Sequence, residues 1–145
     1  MASFFRRPFQ EYRVAGQSLF ATLGVRVLLS CLPVRSIRRG VRFALSADTP
    51  LAPASRLSME RLVRCAARGA RFSPLPATCL VNALVTEALL NRHGYPVGLR
   101  VGVQRRAGAF SAHAWLEFQG SVVVGGPITV VEQYTPFPEI ERLLT

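Results

Sequence analysis

Two side chains of this 145-residue sequence have types and positions suited to thiol chemistry, and the first is Cys79. Two prolines in the preceding Phe72-Ser-Pro-Leu-Pro-Ala-Thr segment stiffen an extended approach, and Thr78 can cap a helix that begins at the cysteine. A thiol attacks well only as a thiolate, which a helix N-terminus and a nearby imidazolium both stabilise. The Cys79 N–H would be an unpaired helix-start donor, able to stabilise an oxyanion. Taken alone, a cysteine at this place is more often a small buried apolar residue.

The second side chain is that of His113, in Ala112-His113-Ala114-Trp115-Leu116-Glu117. Alternate residues of a strand share a face, so His113, Trp115 and Glu117 are predicted to point the same way. The flanking alanines leave room for a thiol or a substrate, and Trp115 would wall the site and keep water from the ion pair. In isolation, a core histidine hydrogen-bonded to backbone fits this segment at least as well. Glu117 also has a second interpretation, as a solvated residue or one paired with an arginine.

A helix is predicted to position Cys79. It runs from the cysteine to His93, where Gly94 supplies the left-handed end and Pro96 forbids continuation. His93 is the only other histidine, and we expect it to interact as a cation with the C-terminal end of the helix dipole.

An antiparallel sheet is predicted to position His113. Turn residues separate three strand-like segments, which are Val97 to Val103, Ser111 to Phe118 and Ser121 to Val124. Ile128 to Tyr134 could add another strand, and Glu139 to Leu144 could form a short terminal helix. Helices followed by an antiparallel meander predict an α+β fold with the Cys-bearing helix packed on a small sheet.

The N-terminal part of the chain is predicted to be helical and basic. The apolar stretch Leu19 to Leu32 is interrupted by Arg26 and is too short for a membrane span, so we expect an amphipathic or buried helix. Peripheral membrane contact stays open for this helix. A second helix is predicted from Val34 to about Phe43, and a third begins after the cap Ser58 and ends near Gly69.

Composition bounds the class of protein. A length of 145 residues, half of them hydrophobic, suits one domain with a sizeable core and cannot comfortably hold a second enzyme domain. Eighteen arginines against eight acidic residues give a net charge of +10, which predicts either an acidic partner or a solvated arginine surface. No nucleic-acid-binding motif is present, so no nucleic-acid partner is expected. Three cysteines without metal-ligand spacing indicate reduced thiols in a cytoplasmic protein, with no metal and no cofactor.

Taken together, these segments are more specific than any one of them. The sequence resembles the leader peptidases of lasso-peptide biosynthesis in four segments: Cys79-Leu80 at the start of a helix, Leu89 to Pro96, Val101-Gly102-Val103, and His113-Ala-Trp-Leu-Glu. Those enzymes are stand-alone transglutaminase-like cysteine proteases with a papain-like core. The resemblance covers roughly residues 56–134, and the arginine-rich N-terminal helices are also similar to that family.

The resemblance implies a function and partners. Such enzymes remove the leader from a ribosomally made precursor peptide, through a thioester on the nucleophile, here Cys79, with His113 as base. A separate leader-recognition protein presents the precursor, and an ATP-dependent cyclase then forms the macrolactam. A chain of this length resembles the split arrangement, with residues 1–55 a basic helical region of the same fold and 56–145 the protease core. Trp115, Glu117 and Thr78 are expected to wall the substrate site.

One departure from the family concerns the third catalytic residue. The family places an aspartate on the strand after the histidine strand, and that position falls near Gly125. The only aspartate is Asp48, in an unrelated loop. Glu132 is the first substitute, followed by Glu117 and Asp48, and a backbone carbonyl or Asn82 stays open as well. Loss of the orienting group is expected to lower the rate without abolishing it.

Two other functions stay open. Transamidation would use the same Cys79 and His113 with an amine as acceptor. The missing aspartate and the basic helices are also compatible with a non-catalytic protein that binds the precursor or a partner of the same pathway. Arg100, Arg105 and Arg106 could contact leader carboxylates or merely keep a hairpin soluble.

Overall fold

The computed structural model describes residues 2–45, 51–53, 56–75, 78–138 and 142. In these parts of the chain the helices are Ala2–Leu28 (α1), Val34–Ala44 (α2), Met59–Phe72 (α3), Cys79–Arg92 (α4) and Ile128–Val131 (α5). The strands are Gly98–Arg106 (β1), Ala109–Phe118 (β2), Ser121–Val124 (β3) and Thr135–Pro136 (β4). They form one antiparallel sheet in the order β3-β2-β1-β4. The predicted α+β class is confirmed.

Helix α4 lies at the centre of the core. It contacts α1, α2 and α3 as well as β1 and β2, and nine of its residues are buried. A helix that is apolar on nearly every face is stable only when surrounded, which explains this place. Its one buried carboxylate, on Glu87, is 1% exposed and forms a two-pronged ion pair with Arg38 of α2. The central position therefore holds Cys79, the first residue of α4, on a rigid support.

The three predicted N-terminal helices are present, but several of their ends differ from the prediction, and α1 begins at Ala2 instead of Leu19. Helix α1 ends at Leu28 instead of continuing to Leu32, and no helix in the described residues is long and apolar enough to cross a membrane. Helix α3 runs past Gly69 to Phe72. A Cβ at Gly69 would lie 2.8 Å from Ala15 O and from Ser18 Cβ, both on α1. Gly69 therefore permits a close helix crossing instead of ending the helix, which is why the predicted boundary was wrong.

The hairpins of the sheet were predicted at the right places. Both turns have two central residues with positive φ, Ala107-Gly108 and Gln119-Gly120, as type I′ hairpins require. Strand β1 extends three residues further than predicted, to Arg106, and its partner β2 begins two residues earlier, at Ala109. In the resulting register Gly102 of β1 lies opposite His113 of β2.

The strand predicted over Ile128 to Tyr134 was wrong. These residues form the short helix α5 followed by a turn, although Ile, Thr and Val favour strands. The reason is topological, because β3 and β4 lie at opposite edges of the sheet and the chain between them must cross over. The helix predicted over Glu139 to Leu144 lies outside the described residues except for Arg142, which is helical.

Candidate active site

Cys79 is the first residue of α4, as predicted from the sequence. Thr78 is the N-cap, and its hydroxyl accepts a hydrogen bond from the Val81 N–H at 3.4 Å. The Cys79 side chain is exposed, whereas Cys65 is buried and Cys31 is exposed, and all three are free thiols. Burial raises the pKa of Cys65, which lowers its thiolate fraction near neutral pH. Cys79 thus combines access with the unpaired N–H groups of a helix start.

His113 is half-buried on β2, and its ring is held by the backbone. Nε2 lies 2.6 Å from the carbonyl oxygen of Gly125, just after β3. Since a carbonyl oxygen only accepts, Nε2 carries the proton of this bond, and the neutral ring keeps its lone pair on Nδ1. The predicted alternative of a histidine hydrogen-bonded to backbone therefore describes the observed geometry. It also leaves a ring nitrogen able to act as a base.

Two aromatic rings flank the imidazole. The Trp115 ring centroid is 6.2 Å from that of His113 with the planes inclined by 22°, and the Tyr134 centroid is 5.1 Å away. Tyr134 was missed in the sequence because it belongs to the segment predicted as a strand. Gly102 is the one feature of the sequence that could have indicated this contact, since a glycine inside a strand often marks a place where another part of the chain approaches the backbone closely. A Cβ there would lie 2.9 Å from both Trp115 Cη2 and Tyr134 Cβ.

Trp115 and Glu117 share the face of His113, as predicted. Trp115 is 2% exposed, and its indole N–H donates to Glu117 Oε1 at 2.9 Å. Arg100 donates to the other oxygen, Oε2, at 3.1 Å. Glu117 is thus paired with an arginine, which was one of the interpretations given for it. Glu117 thereby anchors Trp115 behind the imidazole.

Gly125 brings its carbonyl to the imidazole through an unusually close approach to β2. Its φ is +120°, and a Cβ built there would lie 2.4 Å from Trp115 Cβ and 3.0 Å from Trp115 Cα. An aspartate cannot occupy this backbone position as it stands. In this structure the hydrogen-bond partner of His113 Nε2 is the main-chain carbonyl of Gly125.

Among the described residues, none of the other candidates for the third role forms a hydrogen bond with the His113 ring. Glu132 is exposed at the C-terminal end of α5, and the nitrogen that it was expected to orient bonds instead to Gly125. Asn82 is half-buried on α4. Asp48 lies outside the described residues.

The elements that carry Cys79 and His113 pack against each other. Helix α4 packs against the face of β2 that carries the buried Ala114 and Leu116, which alternate with His113 along the strand. In the described part of the chain no hydrogen bond joins the thiol to the imidazole. Catalytic hydrogen bonds are often long before substrate binds and tighten in the complex. The thiol–imidazole contact therefore stays a prediction.

His93 does not have the role predicted for it. It is 4% exposed, and its Nδ1 accepts a hydrogen bond from the Leu57 N–H at 3.1 Å. Burial, helped by the charges of Arg92 and Arg56, lowers the pKa of His93 to about 4. The ring is therefore neutral near pH 7, and the expectation of a cation at the helix dipole was wrong.

Comparison with known families identifies the superfamily of the chain. The model of the transglutaminase-like superfamily matches residues 19–139, a span that includes both Cys79 and His113. Because this is well over half of the chain, the protein belongs to the transglutaminase-like superfamily, whose members are generally cysteine proteases or transamidases. No curated protein and no solved structure matches the chain.

Proposed function

We propose that this protein is a cysteine peptidase that removes the leader from a ribosomally made precursor peptide in lasso-peptide biosynthesis. The observation that carries the proposal is the pairing of elements: an accessible thiol at the capped start of α4, and an imidazole on the neighbouring strand whose Nδ1 keeps a lone pair. A precursor of this kind is a peptide, and thiol attack on a peptide carbonyl is the reaction that such a pair supports.

The proposed reaction has two halves. Nδ1 of His113 takes the thiol proton, and the Cys79 sulfur attacks the scissile carbonyl, whose oxygen gains charge near the helix-start N–H groups. The C–N bond breaks, and the imidazolium returns its proton to the departing amine of the core peptide. His113 then takes a proton from water, which attacks the thioester. The C–S bond breaks to release the leader acid, and the imidazolium returns its proton to the sulfur, which restores the thiol and the neutral ring.

The partners of this reaction follow from the same proposal. The substrate is the precursor, presented by a separate leader-recognition protein in the cytoplasm, and the macrolactam-forming cyclase receives the product. The net charge of +10 supports an acidic partner. Trp115 backs the site and Thr78 lies exposed beside the thiol.

Cleavage of the precursor tests the proposal. The purified chain, a candidate precursor and the recognition protein are incubated together, and the products are weighed by mass spectrometry. We expect separate leader and core masses with the wild type and none with Cys79→Ala or His113→Ala, both of which should keep the wild-type circular dichroism spectrum. Cleavage by Cys79→Ala at the wild-type rate contradicts the proposal.

Transamidation is the second candidate, because the superfamily includes transamidases and the same dyad serves both reactions. The same incubation with an added primary amine distinguishes them. An amide of the leader with that amine, formed in place of the free leader acid, assigns the transamidase.

A further inference from the structure

We infer that the main-chain carbonyl of Gly125 is the third, positioning member of the catalytic group and takes the place of a carboxylate. The inference rests on the proposed use of His113 as the base. Its evidence is the 2.6 Å contact between His113 Nε2 and Gly125 O, on the ring nitrogen opposite the one that must serve the thiol. A hydrogen bond on that far nitrogen selects the tautomer and the orientation of the ring.

The close approach of residue 125 to β2 makes the contact depend on glycine. At φ +120° most side chains are strained, and here a Cβ would also lie 2.4 Å from Trp115 Cβ. Backbone and a buried tryptophan cannot move aside cheaply, so any side chain must displace residue 125 and its carbonyl. The neighbouring Gly126 has a similar φ of +99°, but its Cβ would meet nothing nearer than Val130 Cβ at 3.9 Å. Both glycines therefore need a positive φ, but only at residue 125 would a Cβ clash with Trp115.

The carbonyl performs part of what a carboxylate performs. It accepts the Nε2–H and so holds Nδ1 as the free base, but it carries only a partial negative charge. It therefore orients the ring while stabilising the imidazolium less than a carboxylate does. Trp115, against which Gly125 packs, is held by Glu117, so the position of the carbonyl is set by the sheet.

The rate of Cys79 alkylation by iodoacetamide tests the inference without any peptide substrate. The experiment uses the full chain with Cys31→Ser, because Cys31 is also exposed, and compares Gly125→Ala with Gly126→Ala. We expect the second-order rate constant to fall about tenfold or more in Gly125→Ala, since loss of an orienting partner typically costs that much, and to stay within about twofold in Gly126→Ala. Equal losses in the two variants overturn the inference.

Gly125→Asp provides a sharper contrast. If the chain merely lacks its aspartate, this substitution should raise the alkylation rate. Our inference expects it to lower the rate at least as far as Gly125→Ala, because the aspartate Cβ meets Trp115 in the same way. An increase overturns the inference.

Nuclear magnetic resonance tests the hydrogen bond itself and does not depend on a variant that folds. In the wild type we expect a downfield, slowly exchanging Nε2–H proton of His113 with a nuclear Overhauser effect to the Gly125 α protons. In folded Gly125→Ala this proton should move or vanish, while the signals of His93 stay as an internal reference. Absence of the proton from the wild type overturns the inference.

Failure of the proposed function gives a different result. If no precursor is cleaved but alkylation of Cys79 still falls only in the Gly125 variants, the leader-peptidase proposal fails and the positioning role stands. If cleavage needs Cys79 and His113 but the two glycine variants behave alike, the peptidase stands and the positioning role fails.

Discussion

The imidazole of His113 is oriented through contacts that begin at the protein surface. Arg100 pairs with Glu117, Glu117 accepts the indole N–H of the buried Trp115, and Trp115 packs against Gly125, whose carbonyl accepts from His113. Each of these interactions has ordinary strength. Removal of the Glu117 carboxylate, however, would leave the indole N–H of Trp115 buried without an acceptor. Unpaired buried donors cost more than an average hydrogen bond contributes.

Substitution of Glu117 measures this link. Glu117→Ala leaves the indole N–H of Trp115 without its acceptor, and we expect the free energy of unfolding to fall by about 1–3 kcal/mol. Glu117→Gln keeps an amide oxygen at the same place and should cost less than half as much. Urea unfolding of both variants gives the two values. Equal losses contradict the role of the acceptor.

His93 gives the stability of the fold a pH dependence. Its pKa is lowered from 6.5 to about 4 in the folded protein, so the unfolded chain takes up a proton that the folded one refuses. The stabilisation is complete above pH 6.5 and is lost as the pH falls toward 4, by about 3 kcal/mol in all.

Urea unfolding between pH 7.5 and 4 checks this expectation. Other groups titrate in the same range, so the quantity that matters is the difference between the wild type and His93→Gln. That difference should shrink steadily as the pH falls below 6.5. A difference that stays constant with pH contradicts the neutral, buried state of His93.

At the scale of elements, glycine has opposite effects in different helices. A Cβ at Gly69 of α3 would lie 2.8 Å from Ala15 O of the α1 backbone. A Cβ at Gly40 of α2 would meet no other part of the described chain within 4 Å, apart from the backbone of its own helix and its chain neighbours. We expect Gly69→Ala to destabilise the protein, because the crossing of α1 and α3 must widen. Gly40→Ala should stabilise it by about 0.5–1 kcal/mol, since alanine loses less backbone entropy in a helix.

Thermal unfolding of the two variants compares them directly. The transition temperature should fall for Gly69→Ala and rise for Gly40→Ala. A rise for both would mean that α1 and α3 have room between them, which would contradict the observed packing.

At the scale of the whole molecule, the net charge of +10 predicts that binding of the proposed precursor depends on salt concentration. Salt screens attraction between exposed charges, with a Debye length of about 10 Å at 0.1 M. For an acidic precursor complex we expect kcat/KM to fall about three- to tenfold between 50 and 500 mM salt, with kcat nearly unchanged.

Alkylation of Cys79 by iodoacetamide supplies the control, because the reagent is uncharged. Its rate should be nearly independent of salt over the same range. If precursor cleavage is equally indifferent to salt, the arginines form a solvated surface and do not attract the partner.

Much of the site could be predicted because its parts are local. Threonine is a preferred N-cap residue, so Thr78 before Cys79 indicates a helix start, and the alternation of His113, Trp115 and Glu117 follows from strand geometry. The two hairpin turns needed only their own residues. The partner of His113 was not predictable in this way, because no sequence pattern tells which carbonyl lies 2.6 Å from a ring twelve residues earlier.

The sequence by itself determined the α+β class, the helix that begins at Cys79 and the strand that presents His113, since each depends on interactions within a few residues. Tertiary structure decided that residues 128–131 form a helix, that His93 is neutral, and that Gly125 supplies the acceptor for the imidazole. These three outcomes depend on which segments of the chain contact each other. The order of the strands in the sheet and the burial of each segment determine those contacts. The residue preferences that favoured a strand at residues 128–134, a charged His93 and a carboxylate partner for His113 are too weak to override that packing.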